Sequence, residues 1–162
     1  MNAIPCEMNS ASKYFTKFFL NLLGYTSQRN YLDGVTKALA ASLGKLAVSM
    51  RKIDEAKDVE TLGKMWQRAF GSDQNHPVTK IENETVYAEI HTHCPLRGTG
   101  DVKACHKMMH FDRTIVNQAG GKFIVLESQS NSGKTFCSVA MRMKSQDFSD
   151  LREAQENANK NS

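Results

Sequence analysis

Hydrophobic residues in the first part of the chain repeat at helical spacing. Between residues 31 and 52 they recur every third or fourth position, which predicts a long helix with one apolar stripe facing the core. The stripe consists of Leu32, Val35, Leu39, Leu43, Leu46, Met50 and Ile53. Two shorter helical patterns cover 14–23 and 58–70, and we expect Gly24 and Gly71 to end them.

After residue 77 the pattern changes to the alternation typical of strands. Residues 78–81 and 85–91 predict a hairpin, and residues 122–127 and 135–143 predict a second one. A helical pattern over 101–118 separates the two hairpins. Helices followed by antiparallel strands favour an α+β fold, here with a ββ-α-ββ order and one inserted helix.

The length of 162 residues is typical of one domain. We expect that domain to span 1–144, with a helical part over 1–71 and a sheet part over 77–144. The polar residues 145–162 are expected to form a C-terminal tail.

Composition and charge narrow the classes of function. No apolar stretch has the roughly 18 residues of a membrane span, so we expect no membrane partner. No basic segment leads into an apolar one at the N-terminus, which favours a cytoplasmic protein. The 21 Lys and Arg residues exceed the 17 Asp and Glu residues by four but are scattered, so we expect no nucleic-acid partner.

Cysteine and histidine are concentrated late in the chain. Three of the four cysteines, and all five histidines, lie after residue 75. Cys94 opens a loop, Cys105 lies near the start of the inserted helix, and Cys137 lies on the last strand. We predict that the three meet at one end of the sheet, near a helix N-terminus that lowers the pKa of a thiol. Alternatively, each is a small buried hydrophobe.

Thiolates of this kind suit zinc, copper(I) or an iron–sulfur cluster. We predict Cys94, Cys105 and Cys137 as metal ligands, with zinc or an iron–sulfur cluster as the cofactor. Zinc prefers four ligands. The candidates for the fourth are His93, His106, His110 and Glu127, and His106 and His110 share a helical face. The alternative is that the histidines are ordinary exposed polar residues.

A second chemistry is open to the same residues. A cysteine with a histidine base is a known nucleophile arrangement, and Cys94 or Cys105 could pair with His93, His106 or His110. That would make the chain a cysteine-dependent hydrolase of a small molecule. A binding protein without catalytic activity remains our first prediction.

The first helix also carries an aromatic cluster, Phe15, Phe18 and Phe19. These side chains pack into the core or form a dimer surface, and we expect a homodimer. The role of Cys6 is left open.

Residues 85–143 resemble the 4-vinyl reductase type of small ligand-binding domain. The resemblance rests on the order of strands and helix, and on Glu127-x-x-Ser130 followed by Gly133 and Cys137. The family implies an α+β fold, and in its zinc-bearing sensors an acidic residue and cysteines hold the metal. Glu127 and Cys137 match that pattern.

The sequence departs from this family at one ligand position and also resembles two further families. Ser130 stands where the family has a cysteine, Cys105 matches the upstream ligand, and Cys94 is the available substitute. The Cys94-Pro95-Leu96 segment before a helix is similar to cysteine-rich output domains of methanogen and bacterial signalling proteins. The cysteine spacing is also similar to the amino-thiazoline-carboxylate hydrolase-like family.

We therefore predict a sensory or ligand-binding protein. Its cysteine-rich site would hold a metal ion, an iron–sulfur cluster or a small ligand in redox or small-molecule signalling, with a signalling protein as a further partner. The alternative is the small-molecule hydrolase.

Overall fold

The computed structural model describes residues 10–71 and 73–156, except the side chains of residues 10–13, 15 and 16. Cys6 and the side chain of Phe15 therefore lie outside the described residues. The predicted α+β class is confirmed, because N-terminal helices are followed by a four-stranded antiparallel sheet.

Three helices form the N-terminal part: α1 (Ser10–Ser27), α2 (Asp33–Arg51) and α3 (Val59–Phe70). A 3₁₀ turn, Asn30–Leu32, precedes α2. The α3 helix begins after Asp58, whose carboxylate accepts a 2.7 Å hydrogen bond from the Thr61 N–H.

The sheet contains β1 (Val78–Glu82), β2 (Thr85–Ile90), β3 (Gly121–Glu127) and β4 (Cys137–Met143) in the order β1-β2-β4-β3. All three pairings are antiparallel. Two short helices, α4 (Val102–Met108) and α5 (His110–Gln118), connect β2 to β3 where one was expected. The strand β4, which comes last along the described chain, thus lies in the interior of the sheet.

The two faces of the sheet differ. Alternate residues of the strands point toward the helices and form the core with Leu62 and Trp66 of α3. These strand residues are Val86, Ala88, Ile90, Phe123, Val125, Cys137, Val139 and Met141. On the opposite face, Arg142 forms ion pairs with Asp150 at 2.6 and 2.7 Å. This pairing attaches the C-terminal segment to the sheet.

The prediction that the first helix ends at Gly24 is wrong. The α1 helix continues to Ser27, and Gly24 has a packing role instead. A Cβ atom at this position would lie 2.6 Å from Cγ of Pro95, so only glycine lets the loop after β2 approach α1 so closely. That loop carries Cys94.

The predicted core stripe of α2 is wrong for several of its larger members. The buried residues of α2 are Thr36, Ala40 and Gly44, whereas Val35, Leu46 and Met50 of the predicted stripe are exposed. The reason is a close helix crossing. A Cβ atom at Gly44 would lie only 2.9 Å from the backbone carbonyl oxygen of residue 111 in α5, so small side chains form the contact.

Within residues 10–71 and 73–156, no helix combines the length and apolar character needed to cross a bilayer.

Candidate thiol site

Three distant segments bring the predicted cysteines to one end of the sheet. Cys94 lies in the loop after β2, Cys105 in α4, and Cys137 is the first residue of β4. Cys105 and Cys137 are 2% and 1% exposed, and Cys94 is half-buried. All three are free thiols. We call these three residues, with Ser128 and Gln129, the thiol site.

Cys105 and Cys137 share a side-chain hydrogen bond. This bond raises the pKa of Cys105, and burial raises it further. The same bond lowers the pKa of Cys137 against the opposing effect of burial, helped by the Gln129 N–H, which donates to its sulfur at 3.4 Å. Cys105 therefore keeps its proton and donates it, and negative charge is stabilised on Cys137. The expectation that a nearby helix N-terminus lowers the pKa of these thiols is wrong for Cys105 and Cys94, whose pKa values are raised.

Two buried serines are hydrogen-bonded in series with Cys105, and all of the bonds run in the same donor-to-acceptor direction. The Ser128 hydroxyl donates to the Cys105 sulfur at 3.0 Å, and the Ser128 and Ser130 hydroxyl oxygens are 2.9 Å apart. A hydroxyl has one proton, so Ser130 must donate to Ser128. The chain therefore runs from Ser130 through Ser128 and Cys105 and ends on Cys137.

Cys94 belongs to the same neighbourhood. Its sulfur accepts a hydrogen bond from the Leu96 N–H at 3.4 Å, and negative charge on the nearby Cys137 raises the pKa of Cys94. Burial raises its pKa. Cys94 is thus the least buried thiol of the site, and it is protonated at neutral pH.

Gln129 holds the surrounding loops together. Its side-chain amide donates to the carbonyl oxygens of Ile90 and Thr92 at 3.2 and 3.0 Å and accepts from Arg97 at 2.8 Å. Because its backbone N–H also donates to Cys137, one residue connects the end of β2, the Cys94 loop and the start of β4.

Two glycines align the Cys94 loop with the segment that carries the serines. The N–H groups of Gly98 and Gly100 donate to the carbonyl oxygens of Gln129 and Ser130 at 3.1 and 2.8 Å. The two glycines have positive φ angles of 71° and 75°, which allows two alternate N–H groups to face the same neighbour.

Glu127, a predicted fourth ligand, lies apart from the cysteines. Its carboxylate accepts a 3.0 Å hydrogen bond from Ser138 and pairs with Lys134. Ser138 is adjacent to Cys137 on β4, and neighbouring residues of a strand point to opposite faces. Glu127 and Cys137 are therefore on opposite faces of the sheet.

The predicted histidines do not join the cysteines. His106 pairs with Glu153 at 2.9 Å, and Arg113 bonds to both residues. His93 is exposed. Within 10–71 and 73–156, no hydrogen bond joins a histidine ring to a cysteine sulfur. The thiol–histidine pair needed for the predicted hydrolase is not among these contacts.

The fit of a metal can be tested on this donor set. Across the described ranges, no group of three or more His, Cys, Asp or Glu side chains is arranged to hold a metal ion. Cys105 and Cys137 are bonded to the adjacent residues Ser128 and Gln129, whereas the Cys94 sulfur is bonded to the Leu96 N–H in a separate loop. As placed, the residues do not form a metal centre.

Sequence reasoning missed Ser128 and Gln129, and it noted Ser130 only as a departure from the family pattern. A signal was present, since four polar residues, 127–130, follow the apolar run 123–126, and the last three of them are nearly fully buried. Polar residues continuing a core strand must find partners. Their partners include groups 23 or more residues away, which no local pattern reveals.

No protein-family model matches the chain, and no curated protein or solved structure matches it either. The resemblance to 4-vinyl reductase-type domains therefore stays a prediction.

Proposed function

We propose that the chain is a sensory or ligand-binding protein that responds to small thiol-reactive molecules through Cys94, Cys105 and Cys137. One observation carries the proposal: a buried hydrogen-bond chain ends on Cys137, where two donors stabilise the sulfur in its anionic form. A thiolate is the reactive form of cysteine.

The connection of the site to its surroundings supports a sensory role. Modification of Cys137 would remove the acceptor of the Gln129 N–H. Because the Gln129 side chain holds Ile90, Thr92 and Arg97, the disturbance would pass to the loop that carries Cys94. The protein would then present a different surface to a signalling partner. A reducing compartment such as the cytoplasm would keep the thiols available.

The test uses the reduced full chain and methyl methanethiosulfonate, a small neutral thiol reagent. We expect intact-mass and peptide analysis to locate modification at Cys137 or Cys94, reversed by dithiothreitol. Hydrogen exchange should increase in 92–100 and 128–136. Cys6→Ala is the control for the remaining thiol. Thiols that react only when the protein unfolds would overturn the proposal.

Zinc and iron–sulfur binding are measured on the same sample. Protein purified without oxygen is analysed for metal content and visible absorption, together with Cys94→Ala, Cys105→Ala and Cys137→Ala. We expect no stoichiometric metal, because the donor set is incomplete. One equivalent of zinc, lost in all three variants, would show instead that the Cys94 loop closes to complete a metal centre.

We also propose that the chain forms a homodimer through α1 and α2. Large side chains on these helices are exposed, namely Tyr14, Phe18, Tyr25, Val35, Leu46 and Met50. Exposed apolar clusters commonly mark interfaces. Sedimentation velocity should show a dimer, and Phe18→Glu should weaken it. Tyr31→Glu, in the 3₁₀ turn that precedes α2, is the comparison variant. A monomer at all concentrations would refute the proposal.

A further inference from the structure

We propose that Cys137 and Cys105 form a reversible disulfide when the protein meets hydrogen peroxide. The inference rests on the proposed function, and it names the molecule to which the thiol site responds and the product that forms. Its basis is the position of the two buried sulfurs, which accept hydrogen bonds from adjacent residues: Ser128 donates to Cys105 at 3.0 Å, and the Gln129 N–H donates to Cys137 at 3.4 Å.

The hydrogen bonds assign different roles to the two thiols. Cys137 accepts from both Cys105 and the Gln129 N–H, which suits it to act as the nucleophile. Cys105 accepts from Ser128 and donates to Cys137, so a protonated thiol is held beside the nucleophile. Cys105 is therefore in position to be the resolving thiol.

The first step consumes the peroxide. The Cys137 thiolate attacks one peroxide oxygen, an S–O bond forms, and the O–O bond breaks. Sulfur is oxidised by two electrons to sulfenic acid, and the peroxide is reduced to hydroxide, which takes a proton to become water.

The second step forms the disulfide. The Cys105 sulfur attacks the sulfenic sulfur of Cys137, an S–S bond forms and the S–O bond breaks. The Cys105 proton and the departing hydroxide leave as water. Overall, two thiols and one hydrogen peroxide give one disulfide and two waters, and a dithiol reductant restores the starting state.

Burial selects the oxidant. Both cysteines are at most 2% exposed, so a small neutral peroxide is favoured over a bulky or charged disulfide. Ser128 acts as a positioning residue, because its hydroxyl orients the Cys105 thiol toward Cys137 without itself reacting.

The experiment treats the reduced full chain in the Cys6→Ala background with hydrogen peroxide, traps free thiols, and maps disulfides by non-reducing peptide mass spectrometry. We expect one Cys105–Cys137 linkage, reversed by dithiothreitol. Cys105→Ser should stop at sulfenic or sulfinic acid on Cys137, and Cys137→Ser should leave Cys105 reduced. Cys94→Ser, a neighbour outside the pair, should still form the linkage.

A linkage through Cys94, or sulfinic acid on the otherwise unchanged chain without any disulfide, would overturn the proposal. Mapping of the unsubstituted pair decides the matter even if a variant fails to fold. Ser128→Ala should slow disulfide formation several-fold, and Ser128→Thr should restore the rate, whereas a purely structural Ser128 would change neither.

Failure here is distinguishable from failure of the proposed function. If methanethiosulfonate reacts and loosens the loops but peroxide gives no disulfide, only this inference is lost. If the disulfide forms but hydrogen exchange of 92–100 and 128–136 is unchanged, the redox chemistry stands and the sensory role is refuted.

Discussion

The thiol site and the packing around Trp66 are both buried, but different forces hold them. Trp66 is fully buried, with ring contacts to Phe70, His76 and Phe123 at centroid distances of 5.4, 5.6 and 6.3 Å. We call these residues, with Asp112, the Trp66 centre. Its indole N–H donates a 3.0 Å hydrogen bond to the Asp112 carboxylate.

The thiol site is held instead by directional hydrogen bonds to sulfur, hydroxyl and amide groups. Apolar packing alone does not require such a chain, since a buried cysteine can serve as a small hydrophobe. The comparison therefore indicates which region maintains the fold and which is available for chemistry. Asp112 connects them, because its charge opposes a thiolate at Cys137.

The largest expected effect is at the Trp66 centre. Trp66→Ala removes the largest fully buried side chain and leaves Asp112 without its indole partner. We expect the free energy of unfolding to fall by about 4 kcal/mol. Urea denaturation followed by circular dichroism measures this, and a loss below about 1 kcal/mol would remove the distinction drawn between the regions.

The second effect is a pair of opposed pH dependences. Burial raises the pKa of Asp112 to about 6 and lowers that of His76 to about 4. Because the pKa of Asp112 is raised, stability falls as pH rises from about 4 to about 6. Because the pKa of His76 is lowered, stability falls as pH drops from about 6.5 to about 4. Each pKa shift changes the free energy of unfolding by about 3 kcal/mol across its pH range. The two changes have opposite signs, so in the unsubstituted chain they largely cancel.

Substituting one of the two groups leaves the pH dependence caused by the other uncompensated. Asp112→Asn should lose stability on acidification from about pH 6.5 to 4, and His76→Phe should lose stability as pH rises from about 4 to 6. Denaturant midpoints across this range test both signs. Equal slopes in the two variants would show that neither group has the assigned pKa shift.

A smaller effect is expected at the thiol site. Gln129→Ala leaves the carbonyl oxygens of Ile90 and Thr92 without their donor, at a cost of about 2 kcal/mol. Because the Cys94 loop loses its attachment, Cys94 should be alkylated faster under native conditions. Gln129→Glu is the matched control, since it keeps the size but loses the amide donors and should behave like the alanine variant.

The smallest effect concerns the contact of α1 with the Cys94 loop. Gly24→Ala places a methyl group against Pro95, and we expect a loss of about 1 kcal/mol together with faster alkylation of Cys94. Asp58→Ala removes a helix cap elsewhere and costs about 1 kcal/mol as well. If both variants alkylate Cys94 equally fast, the effect reflects general stability and not this contact.

The sequence predicted the elements better than their contacts. The spacing of hydrophobic residues and the position of Gly71 located α3 and the strands. Such elements can be predicted because their formation depends on neighbouring residues. The buried face of α2 was mispredicted, since Thr36, Ala40 and Gly44 are selected by the close approach of α5 and not by hydrophobicity.

At the thiol site, the contexts of Cys94, Cys105 and Cys137 pointed toward one end of the sheet. Glu127 was predicted to be a metal ligand, but it pairs with Ser138 instead. The strand register is irregular between Val125 and Glu127, so the sequence did not predict this pairing. Such an irregularity changes which residues share a face of the sheet, and no short sequence pattern predicts it.

The position of β4 between β2 and β3 has a consequence for how the protein is made. This strand leaves the ribosome after the other three and must insert between two of them, where Met141 pairs with Val86 on one side and with Phe123 on the other. Until it does, β2 and β3 each expose an unpaired edge, and such long-range pairings form slowly. Thiol accessibility in newly synthesised chains would thus mark the moment at which folding finishes, because Cys137 enters its hydrogen-bonded environment only with that final insertion.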